Sequence, residues 1–325
     1  MPNSDLCSYN LRVGQLRSCG TMKRFLLRSL IFFGGVILLL MAAEYAARIC
    51  PNAYRNKELW IKAHTDQVET LVLGSSHAYA AIKPELFTSC AFNLANSNQT
   101  QRYDWLLLKR DTTTLASLKT IVYPTSSLMM NYRLEDTSEW YRCIYYQLYN
   151  HLDEHPFFSK YAWEMASIQT CCWKVQSLFI SGESDRMCDE YGWCTYYQAQ
   201  PSQKDNLTPA KAEERIRKYD EREGLHSLEE NYFDEIAGYC QRHGIRLLLL
   251  GTPVSQSFRD KAAVGDYLEN SGLIAQREAA KYDCIEYHDY TFDTRFTDDD
   301  FFDVDHLNST GAIKFSQIIS RDLGL

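Results

Sequence analysis

A serine stands directly behind a short apolar run near residue 75, and an aspartate and a histidine with two residues between them stand near the far end of the chain. Ser76 closes Gly74-Ser75-Ser76 after the run Val68–Leu73, and Asp303-Val304-Asp305-His306 precedes the last helical stretch. An unassisted serine hydroxyl is a poor nucleophile. An imidazole that takes its proton, itself held by a carboxylate, makes it competent for acyl transfer. In that chemistry Ser76 is the nucleophile, His306 the base that later returns the proton to the leaving group, and Asp303 the holder of the imidazole tautomer. Asp305 is a rival orienter, but in an extended segment adjacent side chains point to opposite sides, which turns Asp305 away from His306 and favours Asp303. If Ser76 also opens a helix, its own N–H and the positive end of the helix face a developing oxyanion. The competing reading of Gly74-Ser75-Ser76 is a plain turn with a serine cap; the Asp-x-x-His partner is what favours chemistry. His77 either contacts substrate or supports the turn.

These residues need a scaffold that brings both ends of the chain to one rim. Short apolar runs alternate with helical patterns from residue 68 onward, as in a parallel sheet covered on both faces. The runs predict five strands, Val68–Leu73, Ala91–Ala95, Lys119–Tyr123, Ile245–Leu250 and Cys284–Tyr287. Helices are expected over 101–118, over 225–243 with a stop at Gly244, over 256–281, and from Asn308-Ser309 to about Arg321. The fold class is therefore α/β, a three-layer flavodoxin-like sandwich around a five-stranded parallel sheet. Reactive groups on such a sheet collect beyond the carboxyl ends of the strands, where Ser75, Ser76 and His77 lie. One stretch, 131–224, interrupts the alternation. It is too long for a loop and reads as a mainly helical insertion. Its aromatics, among them Trp140, Tyr141, Tyr145, Tyr146, Trp163, Trp173, Trp193, Tyr196 and Tyr197, either pack it onto the main domain or stack on sugar rings. The charged stretch Lys211 to Glu223 reads as the solvated face of a helix.

Ahead of the sheet, Arg17, Lys23, Arg24 and Arg28 precede an apolar stretch that closes at Glu44 and Arg48. Taken as 25–47 it is long enough to cross a bilayer as a helix, and it lacks a clean small-x-small cleavage site, so a retained signal anchor is expected. The basic flank keeps 1–24 in the cytoplasm and sends the rest outside. Met22-Lys23-Arg24 reads like a natural start, which makes 1–21 an upstream extension with no structural role. Residues 48–66 read as a polar connector to a domain over 67–325. Export permits disulfides among eleven cysteines, with Cys171, Cys172, Cys188 and Cys194 clustered, but the spacing decides no pairing and does not support a zinc site. Asp298, Asp299 and Asp300 read as a solvated loop rather than a metal site. A formal charge of −8 argues against a nucleic-acid partner.

The serine after the first strand and the late Asp-x-x-His resemble the SGNH (GDSL-type) hydrolase superfamily. The likeness covers about 68–97, 119–127 and 245–325; the insertion lies outside it. Gly74-Ser75-Ser76 stands where that family usually has Gly-Asp-Ser, which implies Ser76 as nucleophile, Asp303 as orienter and His306 as base. The family's further oxyanion donors, a glycine after the second strand and an asparagine in a Gly-x-Asn-Asp block after the third, are not intact. This chain has Asn93-Leu94-Ala95-Asn96-Ser97-Asn98-Gln99 and Tyr123-Pro124-Thr125-Ser126-Ser127 in those places. Asn96 is the candidate donor beside the Ser76 N–H, and His77, Asn98, Gln99 and Ser126 are candidate substrate contacts.

The Gly-Ser-Ser-His start, the Asn-Leu-Ala-Asn continuation and the anchor also resemble bacterial envelope members of the superfamily, in the branch with alginate O-acetyltransferases and the D-alanyl transfer protein of teichoic acid synthesis. This implies a serine esterase or O-acyltransferase, held in the bacterial cytoplasmic membrane by a single span, that acts outside on an envelope glycan without cofactor or metal. The alternative is a catalytically silent anchored module that binds glycan or a membrane-bound acyltransferase. A phosphate-binding flavodoxin-like domain is disfavoured because no Gly-rich phosphate loop is present.

Overall fold

A computed structural model describes residues 4–111, 115–152, 163–169, 171, 172, 174, 176, 188–223 and 229–325, with backbone alone at 4–21, 201–203, 222–223 and 262–268. Five strands, Thr70–Val72 (β1), Ala91–Asn93 (β2), Thr120–Pro124 (β3), Arg246–Gly251 (β4) and Ile285–Asp289 (β5), form one all-parallel sheet in the order β2-β1-β3-β4-β5. Each falls on an expected run, with ends moved by one or two residues. Continuous apolar runs suit this pairing because both faces of a parallel strand are buried. Alternate side chains divide between two clusters. Leu71, Leu73, Ile121, Tyr123, Leu247 and Leu249 join one, while Val72, Val122, Leu248 and Leu250 join the other. Each buried aliphatic side chain contributes roughly 1.5–3 kcal/mol.

Ten helices are seen among the described residues. They are Ser4–Ile49 (α1), Ala53–His64 (α2), Ser76–Ala81 (α3), Gln101–Asp111 (α4), Tyr141–Asn150 (α5), Pro209–Glu223 (α6), Tyr232–His243 (α7), Gln256–Arg259 (α8), Ala262–Lys281 (α9) and Ser309–Leu323 (α10). Helices α2, α4, α5, α7 and α9 contribute to the first cluster, and α3 and α10 to the second. Helix α7 stops at Gly244, whose φ of 63° places it in the left-handed cap region. The Asn308 side chain caps α10 by accepting from Thr310 N and Gly311 N. The expected helix over 256–281 breaks at Asp260 and Lys261 into α8 and α9, and that over 101–118 ends at Asp111. Residues 112–114 and 224–228, where two expectations run on, lie outside the described residues.

The connector expectation for 48–66 is corrected. Residues 53–64 form α2, capped by Asn52 and packed into the first cluster through Tyr54 and Ile61. Its polar composition concealed this because two of its charges are buried and satisfied. Lys57 Nζ donates to the Ala95 carbonyl, and Glu58 pairs with Arg110 at 2.7 Å and Lys62 at 2.9 Å.

Within 131–224 the described residues form α5, α6, short 3₁₀ turns and an isolated antiparallel bridge between Cys188 and Cys194. Their aromatics largely pack. Tyr145 and Tyr146 belong to the first cluster, Trp193 and Tyr197 to the second, and Tyr146 stacks on Tyr103 at 4.0 Å. Trp163 and Tyr196 are exposed; Trp173 lies outside the described residues. All nine cysteines in the described side chains are free thiols.

Helix α1 starts well before Met22, at Ser4, and so runs through most of 1–21. Its 28-residue stretch Met22–Ile49 is long and apolar enough to cross a membrane, with an unburied 18-residue window of mean hydropathy 2.3. The base of the helix is docked. Both Glu44 carboxylate oxygens accept from the Glu164 and Met165 amides, at 3.1 and 3.0 Å.

Candidate active site

The turn from β1 into α3 gives its two serines different surroundings. Gly74 has φ 109°, and a Cβ there would stand 2.8 Å from Pro124 Cδ and from Ser127 Oγ, so only glycine lets β3 approach this closely. The Gly74 N–H donates to Asp104 Oδ1 at 2.8 Å, the Ser75 N–H to Ser127 Oγ at 3.0 Å, and the Ser127 hydroxyl to Ser75 Oγ at 3.2 Å. Ser75 is thereby buried and used internally, while Ser76, the first residue of α3, reaches the cleft half-buried. At that position its N–H has no intrahelical acceptor. Asp104 is buried, which pushes its carboxyl up to about 7 against the pull of Gln99, the Gly74 amide and Tyr123.

The second half of the site is a loop locked by its own backbone. Phe301 and Leu307 pair in a bridge, the Asn308 side chain donates to the Asp299 and Phe301 carbonyls, and the Asp300 carbonyl lies so near Gly311 that a Cβ there would be 2.1 Å from it. Asp303 Oδ1 accepts from the Asp305 and His306 amides at 3.2 and 2.9 Å, an Asx-type turn. The acidic run is only partly solvated, since Asp300 is buried and bound by Lys314 at 2.5 Å.

These two halves meet. The His306 Nε2 lies 2.8 Å from Ser76 Oγ, and its Nδ1 lies 2.9 Å from Asp303 Oδ1. With Nδ1–H donated to the carboxylate, Nε2 is left to accept from the serine. The argument that turned Asp305 away from His306 is corrected, because residues 302–305 bend instead of extending. Asp305 Oδ1 lies 3.1 Å from His306 Nδ1 and 3.2 Å from Arg215 Nε, without a well-directed hydrogen bond to either, so its pull on them is Coulombic. Its Oδ2 accepts from Tyr219 and lies 3.3 Å from His77 Nε2.

The electrostatics follow from this packing. Burial lowers the pKa of His306, but Asp303 and Asp305 outweigh it and raise the group to about 9. Burial likewise opposes ionisation of Asp305, yet Arg215 and the histidines hold it well below the usual carboxylate range. His77 moves the other way, lowered by burial and by the neighbouring His306 against the Asp305 bond. Its ring stacks on that of His306 at 4.8 Å and 5°.

The cleft has about 40 Å³ of free space and is lined by Ser76, His77, Asn98 and Ser126, with Met129 and Tyr132 on its apolar side. Asn96 is buried, with its amide donated to Gln99 Oε1, and is not among the lining residues. Asn98, at φ 54°, is. Gln99 is corrected as a substrate contact. It is fully buried and spends its side chain on Asp104, Tyr146, Asn96 and the Leu94 carbonyl. Two residues escaped the sequence reading. Arg215 binds Asp303 at 2.8 Å, and Tyr219 binds Asp305 and His77. Both lie in the charged helix read as solvated; the signal was the stripe Ala212, Ile216 and Tyr219 at helical spacing, which buries one face of α6.

His77, Asp305 and His306 place potential metal-ligand atoms within 4.8 Å of one another. Parallel stacked imidazoles direct their in-plane lone pairs along separate planes, and the Arg215 guanidinium already neutralises Asp305, so the three do not converge on one cation. No protein-family model and no curated protein matches this chain.

Proposed function

We propose that this chain is a serine esterase or O-acyltransferase of the SGNH type, acting through an acyl-serine at Ser76. The observation that carries this reading is the hydrogen-bonded series Ser76 Oγ, His306 and Asp303, with contacts of 2.8 and 2.9 Å, in which Ser76 meets a histidine 230 positions later in the chain. Neutral His306 takes the Ser76 proton as Oγ attacks the acyl carbonyl, and returns it to the departing oxygen. Asp303 fixes the tautomer, and Asp305 adds negative charge behind the imidazolium. The oxyanion is met by the Ser76 N–H, with the side-chain amide of Asn98, which lines the cleft where Asn96 does not, as second donor. Water or a sugar hydroxyl then repeats the sequence on the acyl-enzyme. The free space holds on the order of three waters, which suits a short acyl group.

The strand order supports a three-layer flavodoxin-like sandwich with an insertion over 131–224, since 2-1-3-4-5 has its switch point between β1 and β3, beside Ser76. The docked base of α1 supports a retained anchor, with the domain outside the cytoplasmic membrane and an envelope glycan as substrate, on which exposed Tyr196 offers a stacking face. Fluorophosphonate labelling of the full chain in detergent, mapped by mass spectrometry, tests the reading. Label on Ser76 that is lost in Ser76→Ala and slowed in His306→Ala is expected. An unlabelled wild-type protein that still binds glycan would leave a silent binding module.

A further inference from the structure

The cleft holds a second serine in the same kind of setting as the first. Ser126 Oγ lies 3.0 Å from His77 Nδ1, and His77 Nε2 lies 3.3 Å from Asp305 Oδ2. A carboxylate at Nε2 holds the ring proton there, which leaves Nδ1 as the acceptor for the Ser126 hydroxyl. The two sets are joined. The histidine rings stack in parallel, and Asp305 stands behind both, with Oδ1 near His306 and Oδ2 near His77.

The sheet explains the duplication. The offset that pairs Val72 of β1 with Val122 of β3 also separates Ser76 from Ser126, so adjacent parallel strands deliver the serines to one rim at the switch point. Ser126 is half-buried and lines the cleft beside Ser76, whereas Ser75, also at the cleft wall, is buried and bonded to Ser127.

We propose that Ser126 is a second acyl-accepting nucleophile, with His77 as its base and Asp305 as its orienter. The inference rests on the serine acyl-transfer reading and extends it to a cleft that carries a short acyl group at two positions. Ser126 Oγ attacks the carbonyl carbon of an ester, the new Oγ–C bond forms and the bond to the departing oxygen breaks. The serine proton goes to His77 Nδ1 and from there to that oxygen, so no further reactant is needed. Passage of the group between Ser76 and Ser126 is likewise an ester exchange that consumes no water. His77 faces Asp305 and Tyr219 at one nitrogen, Ser126 at the other and His306 across the stack. Burial and the His306 charge keep it in the neutral, proton-accepting form.

The test uses Ser76→Ala in the full chain, with its folding checked by thermal melting. Fluorophosphonate is expected to label Ser126 in this variant, at least ten-fold faster than in Ser76→Ala/His77→Ala, and not at all in Ser76→Ala/Ser126→Ala. In the wild type, acid quench during turnover of an activated acetyl ester should recover acetyl on the peptides of both serines. Label and acetyl confined to Ser76 of the wild type, with Ser76→Ala inert, would overturn the proposal while leaving the Ser76 reading intact. A wild-type protein modified at neither serine would overturn both.

Discussion

At the scale of single residues, the site is a balance of charge around two stacked imidazoles. His306 must be neutral to accept a proton, and its pKa is raised to about 9, so kcat/KM for an activated short-chain ester should climb with pH and level off near that value. Asp305→Asn removes one of the anions responsible. The alkaline limb should then move to lower pH by about one unit, and Asp303→Asn, which also releases the tautomer, should move it the same way and lower kcat as well. A limb that stays in place in Asp305→Asn would show that this carboxylate does not face the base. Ser76→Ala should lose about 10³-fold or more in turnover at unchanged folding, measured by ester hydrolysis alongside a thermal melt.

At the scale of elements, the β1–α3 turn and α6 carry the geometry. Gly74→Ala sets a side chain at φ 109° against Pro124 and Ser127, and should cost about 1–3 kcal/mol in urea unfolding while displacing Ser76. Helix α6 acts from outside the alternating part of the chain, through the Arg215 bridge to Asp303 and Asp305. Arg215 is partly exposed, so Arg215→Gln should cost only about 1–2 kcal/mol after allowance for solvent screening. It also strips the cation from beside the carboxylates. The limb of the pH profile should therefore move to higher pH, opposite in sign to Asp305→Asn, and the two shifts together separate a positioning role from plain loss of stability.

At the scale of the whole molecule, α1 joins the globular part through Glu44 rather than hanging free from it. The full chain should remain in the membrane pellet after an alkaline carbonate wash, and its intact N-terminal peptide should be recovered there. Release with a new N-terminus near residue 44 would instead mark a cleaved signal sequence. Much of this architecture was legible in the residue order. Five apolar runs bounded by turn residues marked the five strands, Gly244 and Asn308 marked helix ends, and a serine behind the first strand with a late Asp-x-x-His marked the site, because period, caps and turn chemistry are local properties. Tertiary structure alone decided the rest. It buried Lys57 and Glu58 and so turned a polar connector into α2, bent 302–305 so that Asp305 joined Asp303, buried Gln99, and brought Arg215, Tyr219 and Ser126 to the histidines. Apart from the local bend at 302–305 and part of the Gln99 bonding, these are contacts between segments far apart in the chain, and a charge or hydroxyl looks solvated in sequence until the fold supplies its partner.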